Sequence, residues 1–302
     1  MRNPIPIFLR GLVLTAFTLS VSALGSTDTL EVITTKPESA TDTRYQHAEL
    51  VLAHLLKLTE PQYGPAKLRQ ADEPMSRDRA FAELMSGNKI HVTTETAKPE
   101  WVRDLTPIWV PINKGITGYR ICLIAKSSQT ALSQIHSVDE LKKVRMGSGS
   151  QWSTTKIMRD AGFNVIDTMK LEGLFWMLMG DRFQIFPRGI NEAPQELIAH
   201  QQQFPDMAIE EHLAIYVPLP TFFFVSPSHP KLAERIRTGL AMMYADGSFD
   251  SIFYRYHMSL IEGAHLEKRQ VFEVANPTLP PQVPLNEPKY WFKPGDELKY
   301  KY

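Results

Sequence analysis

Arg120–Ala125, "RICLIA", continues a strand that opens at Tyr119, and Thr221–Ser226, "TFFFVS", answers it later in the chain. Both runs are short and very apolar, as buried strands are. Strand and helix signals alternate between them, and also before the first. That pattern argues an α/β chain with mainly parallel sheets, built as two successive units, the second bracketed by the two apolar strands.

In the first unit, "LEVITT" (Leu30–Thr35) reads as a strand. "HAELVLAHLLKL" then sets Ala48, Val51, Leu52, Leu55 and Leu58 at helical spacing. "SRDRAFAELMSG" is a second helix, capped by Ser76 and stopped by Gly87, and "KIHVTTE" returns as a strand. The second unit offers a short helix "VDELKKV", a strand "RMG", a loop "SGSQW" and a helix "STTKIMRDAG". The helix "LEGLFWMLMGD" follows, then a strand "FQIF" that Pro187 and Gly189 break, then a helix "APQELIAHQQQF". Beyond "TFFFVS", residues 228–256 read as one long helix and a shorter one. The proline-rich tail "NPTLPPQVPLNEPKYWFKPGDE" reads as an extended surface segment, because proline excludes regular ladders.

With 302 residues, 43% of them hydrophobic, the chain has ample material for a core. Its zero formal charge argues against nucleic acid or an anionic membrane as the main partner. At the N-terminus, Arg2 and Arg10 precede an apolar run from Gly11 to Leu24, with small residues after it. The run is short for a membrane span, so residues 1–25 read as a cleaved secretory signal peptide. Cys122 is the one cysteine, which rules out an internal disulfide, and within "RICLIA" it reads as a buried, inert thiol.

Enzymatic and metal-binding patterns are thin. There is no G-x-S-x-G elbow and no H-E-x-x-H pair, and His47 and His54 stand too far apart for an i, i+4 metal pair. Glu210-Glu211 reads as solvated surface. No catalysis, cofactor or metal is expected.

Binding signals are stronger. In "GSGSQW", Ser148, Gly149 and Ser150 lead from a strand into a helix, where backbone N–H groups and hydroxyls suit a carboxylate or another anion. The lysine of a nucleotide-binding P-loop is missing, and an ordinary strand-to-helix turn is the plain alternative. Trp152 either stacks on a ligand or packs beneath the helix. Arg188 can clamp a carboxylate bidentately, and Glu192, four residues on, orients it or receives a ligand amine. The plain alternative is a loop ion pair worth little. Arg120, at the start of its strand, either binds ligand or fastens the structure through a carboxylate.

The strand "LEVITT", the pair "GYRICLIAK" and "TFFFVSPSHPKLAERIRTGL", the loop "GSGSQWSTTKIMRDAGFNV" and the leader together resemble the periplasmic solute-binding proteins of the amino-acid type, bacterial extracellular solute-binding family 3. "PINKGITGYRICLI", "GDRFQIFPRGINE" and "NPTLPPQVPLNEPKYWF" resemble a divergent branch of that superfamily. The resemblance covers nearly the whole mature chain. It implies a two-lobed, type II periplasmic-binding-protein-like α/β fold with two hinge strands and a ligand cleft between the lobes. Residues 26–120 and 226–302 would form lobe 1, residues 128–221 lobe 2, and residues 121–127 and 222–225 the hinges.

The implied function is capture of a small anionic or amino-acid-like ligand in the periplasm by a monomer, for import through an ABC-type permease in the inner membrane. The alternative is a periplasmic sensor or accessory binding protein not coupled to transport. Two departures stand out. Arg188 occupies roughly the place where amino-acid binders of this fold carry an aspartate for the ligand amine, which leans towards an anionic ligand. The arginine that binds the α-carboxylate after a threonine-rich strand end is displaced here to Arg103, with Trp101 near the expected position. Thr94 and Glu95 remain cleft candidates at that strand end, and Tyr45 is a candidate aromatic platform.

Overall fold

The computed structural model describes residues 29–38 and 43–300, so the expected signal peptide lies outside the described residues. Its strands in chain order begin with β1 (Leu30–Lys36), β2 (Ala66–Pro74), β3 (Val92–Thr96), β4 (Thr106–Ile108), β5 (Tyr119–Ala125) and β6 (Arg145–Gly149). They continue with β7 (Asn164–Thr168), β8 (Phe186–Gly189), β9 (Met207–Ile209), β10 (Leu213–Tyr216), β11 (Thr221–Val225) and β12 (Gln270–Glu273).

Two lobes follow from the pairing. The first is built on the sheet β2-β1-β3-β11-β4. The second is built on β12-β10-β5-β8, with β9 also on β5, beside the pair β6-β7. The sheets are mixed rather than mainly parallel. β1 runs parallel to β2 and β3, and β6 to β7, but β11 is antiparallel to β3 and β4, and β5 to β8, β9 and β10.

The two apolar runs are buried on both faces, which explains their unbroken hydrophobicity. Ile121 and Leu123 join one core cluster, while Cys122 and Ile124 join another. In β11, Phe222 and Phe224 face one cluster, and Phe223 and Val225 the other. Burying one such phenylalanine is worth about 2–3 kcal/mol. Strands sandwiched in this way have little freedom to act as hinges. β5 pairs inside the second sheet and β11 inside the first, and the chain changes sheet just before each, in residues 109–118 and 217–220. The crossings therefore fall outside 121–127 and 222–225.

Residues 226–302 are also not all in the first lobe. Two helices of equal length, Pro230–Asp246 and Ser248–Ala264, pack there, with Gly239 against Leu55 of the Gln46–Leu58 helix. The chain then enters the second sheet, where β12 lies parallel to β10. The proline-rich tail does not merely lie on the surface, since Val283, Trp291 and Phe292 are buried in core clusters.

Local signals explain the rest. Pro187 and Gly189 do not end pairing: β8 runs through them, with Pro187 opposite Cys122 and Gly189 opposite Arg120. On its other side the chain bonds β6 as far as Ile185, which bridges Met146, and that pairing stops before Pro187, which has no N–H to continue it. β2 carries almost no apolar alternation and is an edge strand, largely exposed. Ser76 does cap the Arg77–Ser86 helix, accepting from Arg79 N at 3.4 Å, and Gly87 closes it in the left-handed region. Ser76→Ala is expected to lower stability by about 0.5–1 kcal/mol in urea unfolding, and a midpoint equal to wild type would remove the cap from the account.

Candidate ligand site

In open α/β sheets ligands bind beyond the carboxyl ends of the strands, near a switch in topology. In the second lobe those ends are the close of β6 and the corner after β8. In the first lobe they are the close of β1 and of β3.

The corner after β8 is a chain of four alternating charges. Arg188 is 6% exposed. Its Nε donates to both oxygens of Glu196, at 2.7 and 3.0 Å, and its Nη2 donates to Oε1 at 2.6 Å. Glu196 stands on the Ala193–His200 helix, eight residues on. Nη2 also lies 3.4 Å from Glu192. Glu192 in turn accepts from Arg120 Nη1 at 3.3 Å and from the Gly189 N–H at 2.7 Å. A side chain at position 189 would put its Cβ 2.7 Å from Asn191 Oδ1 and 2.9 Å from the Glu192 carboxylate, so glycine lets this bond form. Burial pulls the Arg120 pKa below its usual value, with Glu192 opposing, and Arg120 Nε is buried without a hydrogen-bond partner.

The same corner meets the glycine loop. The Arg188 guanidinium lies 4.4 Å from the Trp152 ring centroid and 5.2 Å from that of Phe186. Trp152 packs on Gly149 and parallel to Phe186. The loop hydroxyls are already engaged. Ser148 Oγ and Thr155 Oγ1 are 2.6 Å apart, and Thr155 Oγ1 donates to the Gly149 carbonyl. Ser150 hydrogen-bonds Asp167, which with Arg159 holds that carboxyl below the usual carboxylate range.

Thus Arg120, Gly149, Trp152, Arg188 and Glu192 come together as one contact network, with Ser148 and Ser150 beside it. Arg188 is matched by carboxylates of its own lobe. The Glu192 side chain, 38% exposed, is the carboxylate that meets solvent there, while the Glu196 side chain is 16% exposed.

In the first lobe, Glu95 is buried at the end of β3. It accepts from Thr96 N at 2.9 Å and Thr96 Oγ1 at 3.2 Å, and it pairs with Arg77 at 3.2 Å and Lys98 at 3.7 Å. Thr94 lies one residue away, on the opposite face of the strand, opposite Phe223. Arg103 is exposed and bound to its neighbour Asp104, so it sits outside this cluster. Tyr45 precedes the Gln46–Leu58 helix and carries the Arg44 guanidinium over its ring.

Arg77, Lys98 and Glu196 complete these clusters beside the residues expected from the sequence. Lys98 and Glu196 had a local signal, three residues after Glu95 and four after Glu192. Arg77 had none, since the whole Arg77–Ser86 helix that it opens separates it from β3. A groove of about 450 Å³ between the Gln46–Leu58 and Ser248–Ala264 helices, lined by Leu50, His54, Lys57, Ile252, Arg255 and Tyr256, contains none of the predicted residues.

The arrangement offers an aromatic shelf, one accessible carboxylate and a buried guanidinium donor. It offers no activated nucleophile: Cys122 is fully buried, and burial, with Glu210 nearby, pushes its thiol pKa up. Among the described residues no group of three or more metal-ligating side chains is gathered, and no helix is long and apolar enough to cross a membrane.

No family model matches the sequence, and no curated protein does. Solved structures do match. The second substrate-binding domain of a protein from Streptococcus pneumoniae Canada MDR_19A, described as an amino acid ABC transporter, aligns over 75% of this chain and 99% of its own, at 12% identity and a TM-score of 0.50. At that identity the match speaks for the fold, the two-lobed α/β fold of periplasmic binding proteins. YckB of Bacillus subtilis aligns over 82% of this chain and 96% of its own, at 16% identity and a TM-score of 0.47. An ancestral arginine-binding protein bound to arginine aligns over 75% and 97%, at 22% identity and a TM-score of 0.41.

Proposed function

We propose that this two-lobed chain is an exported solute-binding protein that captures a small ligand between its lobes and delivers it to an ABC-type permease. The observation that carries the reading is the pair of built clusters at strand carboxyl ends: Arg120, Trp152, Arg188 and Glu192 in one lobe, and Arg77, Glu95 and Lys98 in the other. Contacts made to both lobes at once exist in the closed form alone, so ligand shifts the population towards closure.

Because Glu196 and Glu192 already engage Arg188, a simple anion is not the best match to the second lobe. Glu192 is itself held by Arg120, Arg188 and the Gly189 N–H, but as the exposed carboxylate of the corner it can still receive a ligand amine, and the Trp152 ring favours a flat or apolar body beside it. The ligand class is therefore an amine-bearing solute of amino-acid size, recognised at the accessible carboxylate.

A thermal-shift screen of amino acids, amines, organic acids and short peptides tests this. A solute at about a hundred times its Kd adds roughly 2.7 kcal/mol to the native state. Glu192→Gln is expected to weaken the best amine by about 10- to 100-fold in calorimetry, the worth of a charge-assisted hydrogen bond. Stabilisation by organic acids alone would exclude the amine reading.

The alternative reading is a periplasmic sensor or accessory binding protein not coupled to transport. Permease and ATPase genes beside its own support import. A neighbouring signalling gene supports sensing.

A further inference from the structure

We propose that residues 276–300 are a strap that grips the crossings at 109–118 and 217–220 and holds the angle between the lobes in the absence of ligand. A hinge concentrates its dihedral change in a few residues at the crossing segments. Two of these, residues 109–118 and 217–220, lead into and out of the span β5 to β10, ahead of the later entry at β12, and the tail is bound to each of the two.

The two crossings first bind one another. Val217 N donates to the Gly118 carbonyl at 3.1 Å, Thr117 Oγ1 to the Leu219 carbonyl at 2.9 Å, and Thr221 N to Asn113 Oδ1 at 3.3 Å. Gly118 lies so close to the Val217 carbonyl that a Cβ would overlap it. The tail then closes over them. After β12, Val274 N donates to the Tyr216 carbonyl at 2.8 Å, and Asn276 Nδ2 donates to the Pro218 carbonyl at 2.9 Å. Phe292 N donates to the Lys114 carbonyl at 2.8 Å, and Tyr119 Oη donates to the Phe292 carbonyl at 3.0 Å. The Trp291 ring packs on Gly115, where Tyr216 of the second sheet also arrives.

Lys114 is the bolt. It is 4% exposed and holds a left-handed backbone, with φ at 46°, that a side-chain-bearing residue keeps only when its surroundings fix it. Its Nζ donates to Asp250 at 2.8 Å and to the Lys289 carbonyl at 2.6 Å, with the Tyr244 ring centroid 5.6 Å away. Asp250 belongs to the first-lobe helix Ser248–Ala264, and Tyr300 of the tail donates to its other oxygen at 3.2 Å. A buried ammonium has to keep these partners, so the crossing, the first lobe and the tail move as one piece. The proposal goes beyond solute capture and stands whether or not a ligand is found.

Spin-label distance measurement tests it on the unliganded mature chain. Cys122 is fully buried, so labels go to Glu100→Cys in the first lobe and Lys156→Cys in the second, both exposed. The expected wild-type result is one narrow inter-lobe distance distribution. In Asp250→Asn, and in the stronger pair Trp291→Ala with Phe292→Ala, the width is expected at least to double or a second peak to appear. Circular dichroism checks each fold, and if the double variant unfolds, Asp250→Asn decides. Two comparable populations in wild type, or an unchanged distribution in folded Asp250→Asn, would overturn the strap.

Discussion

Glu210→Ala is expected to lower the unfolding free energy by about 3–5 kcal/mol, the cost of breaking a buried ion pair by removing one partner. Glu210 is 0% exposed, although Glu211 beside it faces solvent. The solvated-surface reading of the two therefore fails for Glu210. Its Oε1 accepts from Gln129 Nε2 and His212 N, each at 2.8 Å, and its Oε2 accepts from Leu213 N at 2.7 Å. Arg269 lies 3.6 Å from Oε2, and its Nη1 also donates to the Glu210 carbonyl. Burial pulls the Arg269 pKa down, and Glu210 is the main group opposing that. Alanine would leave this guanidinium its carbonyl acceptors at Ala264, Glu210 and Leu213 but no counter-charge, and would leave the His212 and Leu213 N–H groups at the start of β10 without acceptors. Arg269 directly precedes β12, so the lost order reaches the third connection between the lobes. Equilibrium urea unfolding with an unchanged slope measures the loss. A loss below about 1 kcal/mol would mean that water replaces the carboxylate and that the site is not the dry anchor described.

Acid is expected to remove about 3–4 kcal/mol of stability between pH 7 and pH 5 through one histidine pair. His47 and His257 have ring centroids 4.8 Å apart, beside Phe253 and Tyr256, and neither Nε2 has a hydrogen-bond partner. Burial, then the neighbouring His257, holds the His47 pKa down from 6.5 to about 3, and burial holds His257 down to about 4. Both are neutral in the native state, while the unfolded chain takes up protons near pH 6.5. Below that pH the unfolded state binds more protons, so stability is complete above about 6.5 and falls as pH drops towards 4. Each imidazole contributes a slope of about 1.4 kcal/mol per pH unit across that window. Urea midpoints at pH 7, 6 and 5 check it, and His257→Gln is expected to halve the slope. Equal stability at pH 5 and pH 7 would show that the pair opens to water at little cost.

What could be read in advance was what depends on near neighbours. Strand β5, the Ser76 cap, the Gly87 stop and the helical spacing of Val51, Leu52 and Leu55 all declare themselves within a few residues. β2 did not, because "AKLRQADEP" is an exposed edge with Ala71 as its buried residue, and nothing in its own pattern demands a sheet. Glu210 looked solvated because its partner stands 59 residues away. At the site, Arg188 and Glu192 were legible as a corner. Glu196, eight residues beyond Arg188, turns that corner from a bare cation into a neutralised one, and that depended on the turn of the following helix.

The position of β11 also governs the order in which the molecule can assemble. It lies between β3 and β4 in the first sheet, yet it is made after the whole span from β5 to β10. A chain emerging N-terminus first therefore holds β1, β2 and β3 without the strand that joins them to β4 until residue 225 is available. The second lobe has most of its strands together by residue 216, so it is the natural first unit, and the earlier-synthesised lobe completes itself around it. Delay of that kind keeps the first sheet open for as long as residues 221–225 are still to be made.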